Sequence, residues 1–323
     1  MRKLFAIFSI PGILMGISCD PIDPPVVLTV SSDVVNVNLV ILTGEVVDEG
    51  GSAVTNRGFY WSTSPNPDST DYYSENQSGL GVFMETVKNL FIGKKYYYRS
   101  YADNAEGKHL GEIKSFRIEV ISSTGSIVDS RNARNYPTVA IKNQNWLSCN
   151  LSYIPAVSPS RRGSETSPHY YVYNYEGNTP SAASGTDNYL IYGVLYNWEA
   201  ARTACPKGWH LPSDSEWDTL ITYLGYYPAD LMKETGTDLW SGDNARATNA
   251  SGFNVRPGGF RRYFSDFASS FYSINQEAFF WSSSENGPLD ASALSLSYTS
   301  SNVARYVYFK SNGLSVRCLQ DTL

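Results

Sequence analysis

Charge is scarce in this chain of 323 residues: Asp, Glu, Lys and Arg make up 17%, and 25 basic residues face 31 acidic ones, for a net charge of −6. There is no basic footprint, so nucleic acid is excluded as an expected partner. Histidine is scarcer still. His109, His169 and His210 lie far apart, with no H-x-x-x-H spacing to suggest a metal pair. The four cysteines include no C-x-x-C pair, which argues against zinc ribbons and thioredoxin-like redox chemistry. A G-x-S-x-G elbow and a Walker loop are also missing. "RPGGFRR" (256–262) has glycines and arginines but neither the lysine nor the strand–helix setting that phosphate needs. No carboxylate pair is marked out for glycosidase work. No metal, cofactor or catalytic residue is therefore expected, and the chain reads as a non-enzyme. After residue 18 no uninterrupted apolar run is long enough to cross a membrane.

What is abundant is tyrosine (24), glycine (25), serine and threonine, a mixture suited to extracellular β-rich proteins with long ordered loops. The length calls for two domains. At the N-terminus, Arg2 and Lys3 precede the apolar run "LFAIFSIPGILMGIS" (4–18), which is short for a membrane span and ends at Cys19. Ser18 before Cys19 resembles a bacterial lipoprotein signal, cleaved so that the cysteine becomes acylated; Gly16 departs from the usual aliphatic residue. The other reading is an ordinary secretory signal with a chance cysteine. On the lipoprotein reading, residues 1–18 are the signal, and Cys19 ties the chain to a bacterial outer membrane. Of Cys149, Cys205 and Cys318, two are expected to pair in an oxidising compartment and one is left over.

Residues 19–25 form a proline-rich tether. From 26 to 117 short strands alternate with turns: "NVNLVILTGEVVD" is β-branched and alternating, "GFYWSTSP" is a strand stopped by proline, and "KKYYYRSYADNAEGK" is a strand entering an Asn/Gly turn. This predicts an all-β sandwich. The segment "LFIGKKYYYRSYADNAEG" resembles the end of a fibronectin type III-like domain, in which a leucine precedes a tight corner closed by a tyrosine six residues on, here Leu90 and Tyr96. "TGEVVDEGGSAVTNRGFYWSTSPNP" resembles the version common in Bacteroidetes surface proteins. The resemblance implies a spacer or binding module. Residues 118–126 read as a linker.

In "CPKGWHLPSDSEWDTL" (205–220), Ser213 and Glu216 form an S-x-x-E capping box after Pro212. Trp217, Leu220, Ile221 and Leu224 then fall at i, i+3, i+4 and i+7, the stripe of an amphipathic helix that Gly225 ends. Glu216 reads as a cap and Trp217 as a core anchor. His210 reads as a hydrogen-bonded core residue. Trp146, Trp198 and Trp281 also sit among apolar neighbours at strand or helix spacing. Trp240, in the Gly- and Asp-rich "GTDLWSGDN", is the candidate for an exposed ligand platform. "HYYVYNYEGN" (169–178) is either a strand with large buried rings or a stacking surface for sugar.

Seven blocks in order carry a further resemblance, to the Fibrobacter succinogenes major paralogous domain. They are "VDSRNARNYPTVAIKNQNWLSCNLSY", "YGVLYNWEAA", "CPKGWHLPSDSEWDTL", "LMKETGTDLW", "SGFNVRPGGFR", "FFWSSSE" and "GLSVRC". The start of the third is also similar to a helix start in formylglycine-generating enzymes and other C-type-lectin-like folds. Together these imply a C-type-lectin-like α+β domain over 127–320, with one small twisted antiparallel sheet, two helices and much ordered loop. They imply a Cys205–Cys318 disulfide as well, the arrangement that closes such domains, and leave Cys149 a free thiol. Activity does not carry over, because the cysteine pair of formylglycine generation and the sugar motifs of true C-type lectins are absent. The expected work is non-catalytic recognition or adhesion at the cell surface, with polysaccharide or another surface protein as partner. The alternatives are a structural cell-envelope or fimbria-associated component, and a glycan-acting enzyme.

Overall fold

The computed structural model describes residues 22–75, 78–242, 244–265 and 268–322. Cys19, the signal segment and the first residues of the tether lie outside them. The chain divides into two compact units. Residues 22–32, 41–86 and 96–116 belong to the first, and 33–40, 87–95 and 117–322 to the second.

The N-terminal strands are β1 (Val26–Asn36), β2 (Leu39–Asp48), β3 (Asn56–Ser62), β4 (Tyr72–Tyr73), β5 (Gly81–Lys88), β6 (Lys95–Asn104), β7 (Gly107–Leu110) and β8 (Lys114–Arg117). They form one sheet of order β1-β2-β5 and another of order β4-β3-β6-β7, with β8 pairing β6. Period-two patterning places the core. In β5, Val82 and Met84 face out while Phe83 is buried. Phe59 of β3 meets Phe83 with ring centroids 5.1 Å apart, so the sheets pack face to face as a sandwich. Gly44 of β2 permits that approach, because a Cβ there would lie 2.6 Å from the Phe83 ring. Leu90 and Tyr96 are both buried, and Tyr96 stacks on Phe116 at 5.5 Å.

The second unit begins with β9 (Ile121–Asp129), which pairs along its length with β10 (Arg134–Ile141). Most of the stretch read as a linker, 118–126, is therefore strand: β-branched residues with a neighbour to bond are ordered into its sheet. After β11 (Gln144–Leu147) come β12 (Tyr170–Tyr171), α1 (Pro180–Ser184), α2 (Asp187–Tyr192), β13 (Leu195–Tyr196), α3 (Trp198–Ala204), β14 (Trp209–His210), α4 (Asp214–Leu224) and α5 (Pro228–Met232). The chain ends in β15 (Gly258–Arg262), β16 (Ser270–Ile274), β17 (Glu277–Glu285), β18 (Asp290–Ser297), β19 (Ala304–Phe309) and β20 (Leu319–Gln320). Two five-stranded sheets result, of orders β14-β20-β11-β10-β9 and β16-β15-β17-β18-β19, with β12 and β13 as a separate pair. The domain thus has more sheet and more helices than expected, and β15 with β17 is a parallel contact.

One segment ties these pieces together. Residues 313–320 bond in turn to Arg261, Tyr196, Phe279 and Trp281, Leu151, Leu147, and finally β11 and β14. Leu314, Val316 and Cys318 are fully buried within a core that includes Tyr196, Trp198 and Trp281. Cys318 sits just before the last strand, not in it.

Candidate functional site

The capped helix is structural. Ser213 Oγ accepts from the Glu216 N–H, and the Glu216 carboxylate accepts from the Ser213 N–H at 2.8 Å, completing the capping box at the start of α4. Trp217, Leu220 and Leu224 are buried, and the Trp217 ring lies 4.8 Å from that of Trp146. His210 is hydrogen-bonded as expected but stands at the surface. Its Nε2 faces Glu216 at 2.9 Å and its Nδ1 faces Asp321 at 2.7 Å. Cys205 and Cys318 form a disulfide, and Cys149 is free. Burial pushes the Cys149 thiol up, against the nearby Arg317, Arg134 and Arg256.

Trp240 is not an exposed platform. Its indole is 1% exposed, Nε1–H donates to the Val255 carbonyl, and the Lys233 ammonium sits 5.7 Å from the ring centroid. Thr237 and Asp238 before it are exposed while the ring packs beside Lys233. The tyrosine run is strand only at Tyr170–Tyr171. Tyr171 is fully buried, with the Arg261 guanidinium 4.5 Å from its ring.

Lys233 lines a polar cleft of about 370 Å³, within the range of small-molecule sites. Pro228 starts α5, whose register sets Asp230 and Lys233 one turn apart on the same side. Lys233 is 2% exposed, and its ammonium donates to the carbonyls of Ser297 and Ser300 at 3.2 and 3.0 Å. Its third neighbour is Asp230 Oδ1 at 3.5 Å. Burial pulls the Lys233 amine down, opposed by the Asp230 charge. Asn244 comes in from the loop and is pinned by its Nδ2, which donates to the Glu234 and Gly236 carbonyls at 2.9 and 3.0 Å. Among the described residues, Asp230 Oδ1 and Asn244 Oδ1 are buried acceptors without a hydrogen-bond partner. Such groups are uncommon and mark places where a ligand or water completes the set. Arg246 lines the rim, exposed and without a partner among the described residues. The β18–β19 turn supplies the hydroxyls of Tyr298, Thr299, Ser300 and Ser301.

None of these residues was singled out from sequence. The available signal was the Asp230–Lys233 spacing in "PADLMK", a charged pair on a mostly apolar short helix. The remaining lining residues are brought in by chain about fifteen and seventy residues away. Among the described residues the cleft lining carries one carboxylate, that of Asp230, where glycoside hydrolysis uses a pair. Among the described residues no group of three or more His, Cys, Asp or Glu could hold a metal ion.

A β-sandwich joined to a second, mixed α and β unit with a polar cleft defines a two-unit, mostly β protein. Residues 139–320 match the model of the Fibrobacter succinogenes major domain, and the chain belongs to that family. Comparison with curated proteins gives no match. Solved structures with a likeness include domains A168–A170 of titin, at 26% identity and a TM-score of 0.22, covering 30% of this chain and 32% of that one. The twitchin kinase region from C. elegans is 15% identical with a TM-score of 0.22, covering 64% of this chain and 36% of that one. The chain spans about a third of the length of the solved structures it matches.

Proposed function

We propose that this chain is a lipid-anchored bacterial outer-membrane protein in which a fibronectin type III-like spacer presents a C-type-lectin-like domain that recognises glycans without catalysis. The observation that carries the reading is the cleft at Asp230, Lys233 and Asn244. Its walls are polar, its acceptors are unfilled, and sugar hydroxyls are donors and acceptors of matching kind. The anchor rests on the charged and apolar N-terminal segment that ends at Cys19. Multiple acyl chains hold a protein firmly to a membrane, so Cys19→Ala is expected to release it into the soluble fraction; unchanged fractionation would overturn the anchor.

Binding of the full chain to a glycan array tests the recognition. Loss of the signal in Asp230→Asn, with melting temperature preserved, would place it in the cleft. A second reading, a structural envelope or fimbria-associated component, is favoured by one observation. Strand β19 is a sheet edge that exposes Tyr306, Val307 and Phe309, the kind of edge that takes an added strand. Concentration-dependent self-association with no glycan signal would favour it.

A further inference from the structure

The charges at the cleft are unevenly committed. Lys233 is spent internally, because its ammonium donates to the Ser297 and Ser300 carbonyls and pairs with the Asp230 carboxylate at 3.5 Å. Asp230 and Lys233 offset each other, which leaves Arg246 as the uncompensated charge among the described lining residues. Arg246 is a planar fork of donors suited to a carboxylate or sulfate. Asp230 Oδ1 accepts no hydrogen bond from the described residues, and Asp230, 11% of whose side chain is still exposed, lines the cleft. The cleft therefore presents a cation at the rim and an acceptor deeper in.

A third component is apolar. The Tyr298 ring lies over Gly242, where a Cβ would come within 2.7 Å of it and where φ is +67°. Glycine thus lets the ring form one wall of the cleft. A pyranose has an apolar face that suits such a ring and a rim of hydroxyls that suits the rest.

We propose that this cleft selects a negatively charged sugar residue, its carboxylate or sulfate on Arg246 and its ring hydroxyls donating to Asp230. The inference rests on the glycan-recognition reading above and adds the ligand's charge. A neutral sugar leaves Arg246 without a partner, and a small anion without hydroxyls leaves Asp230 unfilled.

The test uses the full chain and four polymers: a polyuronate, the same polymer with its carboxyls reduced to alcohols, a sulfated polysaccharide and a neutral glucan. Affinity is measured by calorimetry at low and high salt. The polyuronate or the sulfated polymer is expected to bind at least about tenfold more tightly than its neutral counterpart, and salt should narrow the gap. Which of the two binds better separates carboxylate from sulfate. Arg246→Gln lies at an exposed position and is expected to preserve the melting temperature while removing that preference. Asp230→Asn should weaken charged and neutral forms together. Equal binding of the reduced and unreduced polymers, or a charge preference that survives Arg246→Gln, would overturn the charge selection while leaving glycan recognition standing. No binding to any of the four would remove both.

Discussion

The guanidinium of Arg317 lies 4.7 Å from the Phe253 ring centroid and 5.5 Å from that of Phe280, and these two rings pack in turn on the indoles of Trp146 and Trp217. Arg317 is fully buried, with no carboxylate ion-paired to it among the described residues. It donates instead to Asn150 Oδ1 and to the carbonyls of Leu147, Phe253 and Asn254. Burial pushes its pKa down to about 9. A cation held by neutral acceptors and ring faces needs every one of them, so this cluster tolerates little change. Trp217→Ala is expected to cost about 3–5 kcal/mol, read from the shift in denaturation midpoint. Trp240→Ala should cost a similar amount, because its ring is equally buried. An unchanged midpoint for Trp240→Ala would return that residue to the surface. Trp240 also shows where local composition misleads. Four of its neighbours in "GTDLWSGDN" are Gly or Asp, yet the ring is buried beside Lys233.

At the scale of elements, the start of α4 is tied to the C-terminal end of the chain through His210. With a carboxylate at each ring nitrogen, the imidazole satisfies both only as the cation. Burial opposes that form, but hydrogen bonds to Asp321 and Glu216 outweigh it and raise the His210 pKa. Burial likewise opposes ionised Glu216, and the Ser213 and His210 donors outweigh it and lower its pKa. The raised histidine adds stability that is complete below its ordinary value of 6.5 and is lost as pH climbs through the folded-state value. The lowered glutamate adds stability that is present above 4.5 and is lost as pH falls through its own folded-state value. The clasp is thus strongest between about 4.5 and 6.5. His210→Gln should lower the melting temperature more at pH 5.5 than at pH 8.5, and the same drop at both would show that the charged form is not what holds. The cap itself was readable, since S-x-x-E and the apolar stripe are local. The carboxylate from 111 residues away was not.

Across the whole molecule, the last residues of the chain close the second unit. The disulfide spans 113 residues, and a loop of that length is worth up to about 4–5 kcal/mol in the chain-entropy account. Cys205→Ser with Cys318→Ser is expected to lower the denaturation midpoint by an amount approaching that figure. A mass map linking Cys149 to either partner would contradict the pairing. Because residues 313–320 bond to strands and loops that run from Trp146 to Trp281, the contacts they close are long-range. A truncation before 313 would leave Leu151, Tyr196 and Trp281 without their backbone partners.

Local chemistry was settled by the sequence alone: where strands alternate, where Ser213 caps a helix, and which tryptophans have apolar company. These follow from spacing over a few residues, and proximity along the chain guarantees that such neighbours meet. The tertiary structure alone decided how many sheets form, since the pairing of β15 with β17 and the threading of 313–320 depend on distant partners. It also put the strand Ile121–Asp129 where a linker was expected and buried Trp240. Above all it assembled the cleft, bringing Asp230 and Lys233 to Asn244 and to the turn after β18. Backbone hydrogen bonds and buried charge are satisfied by whatever folding brings near, and nothing in the order of residues records that distance.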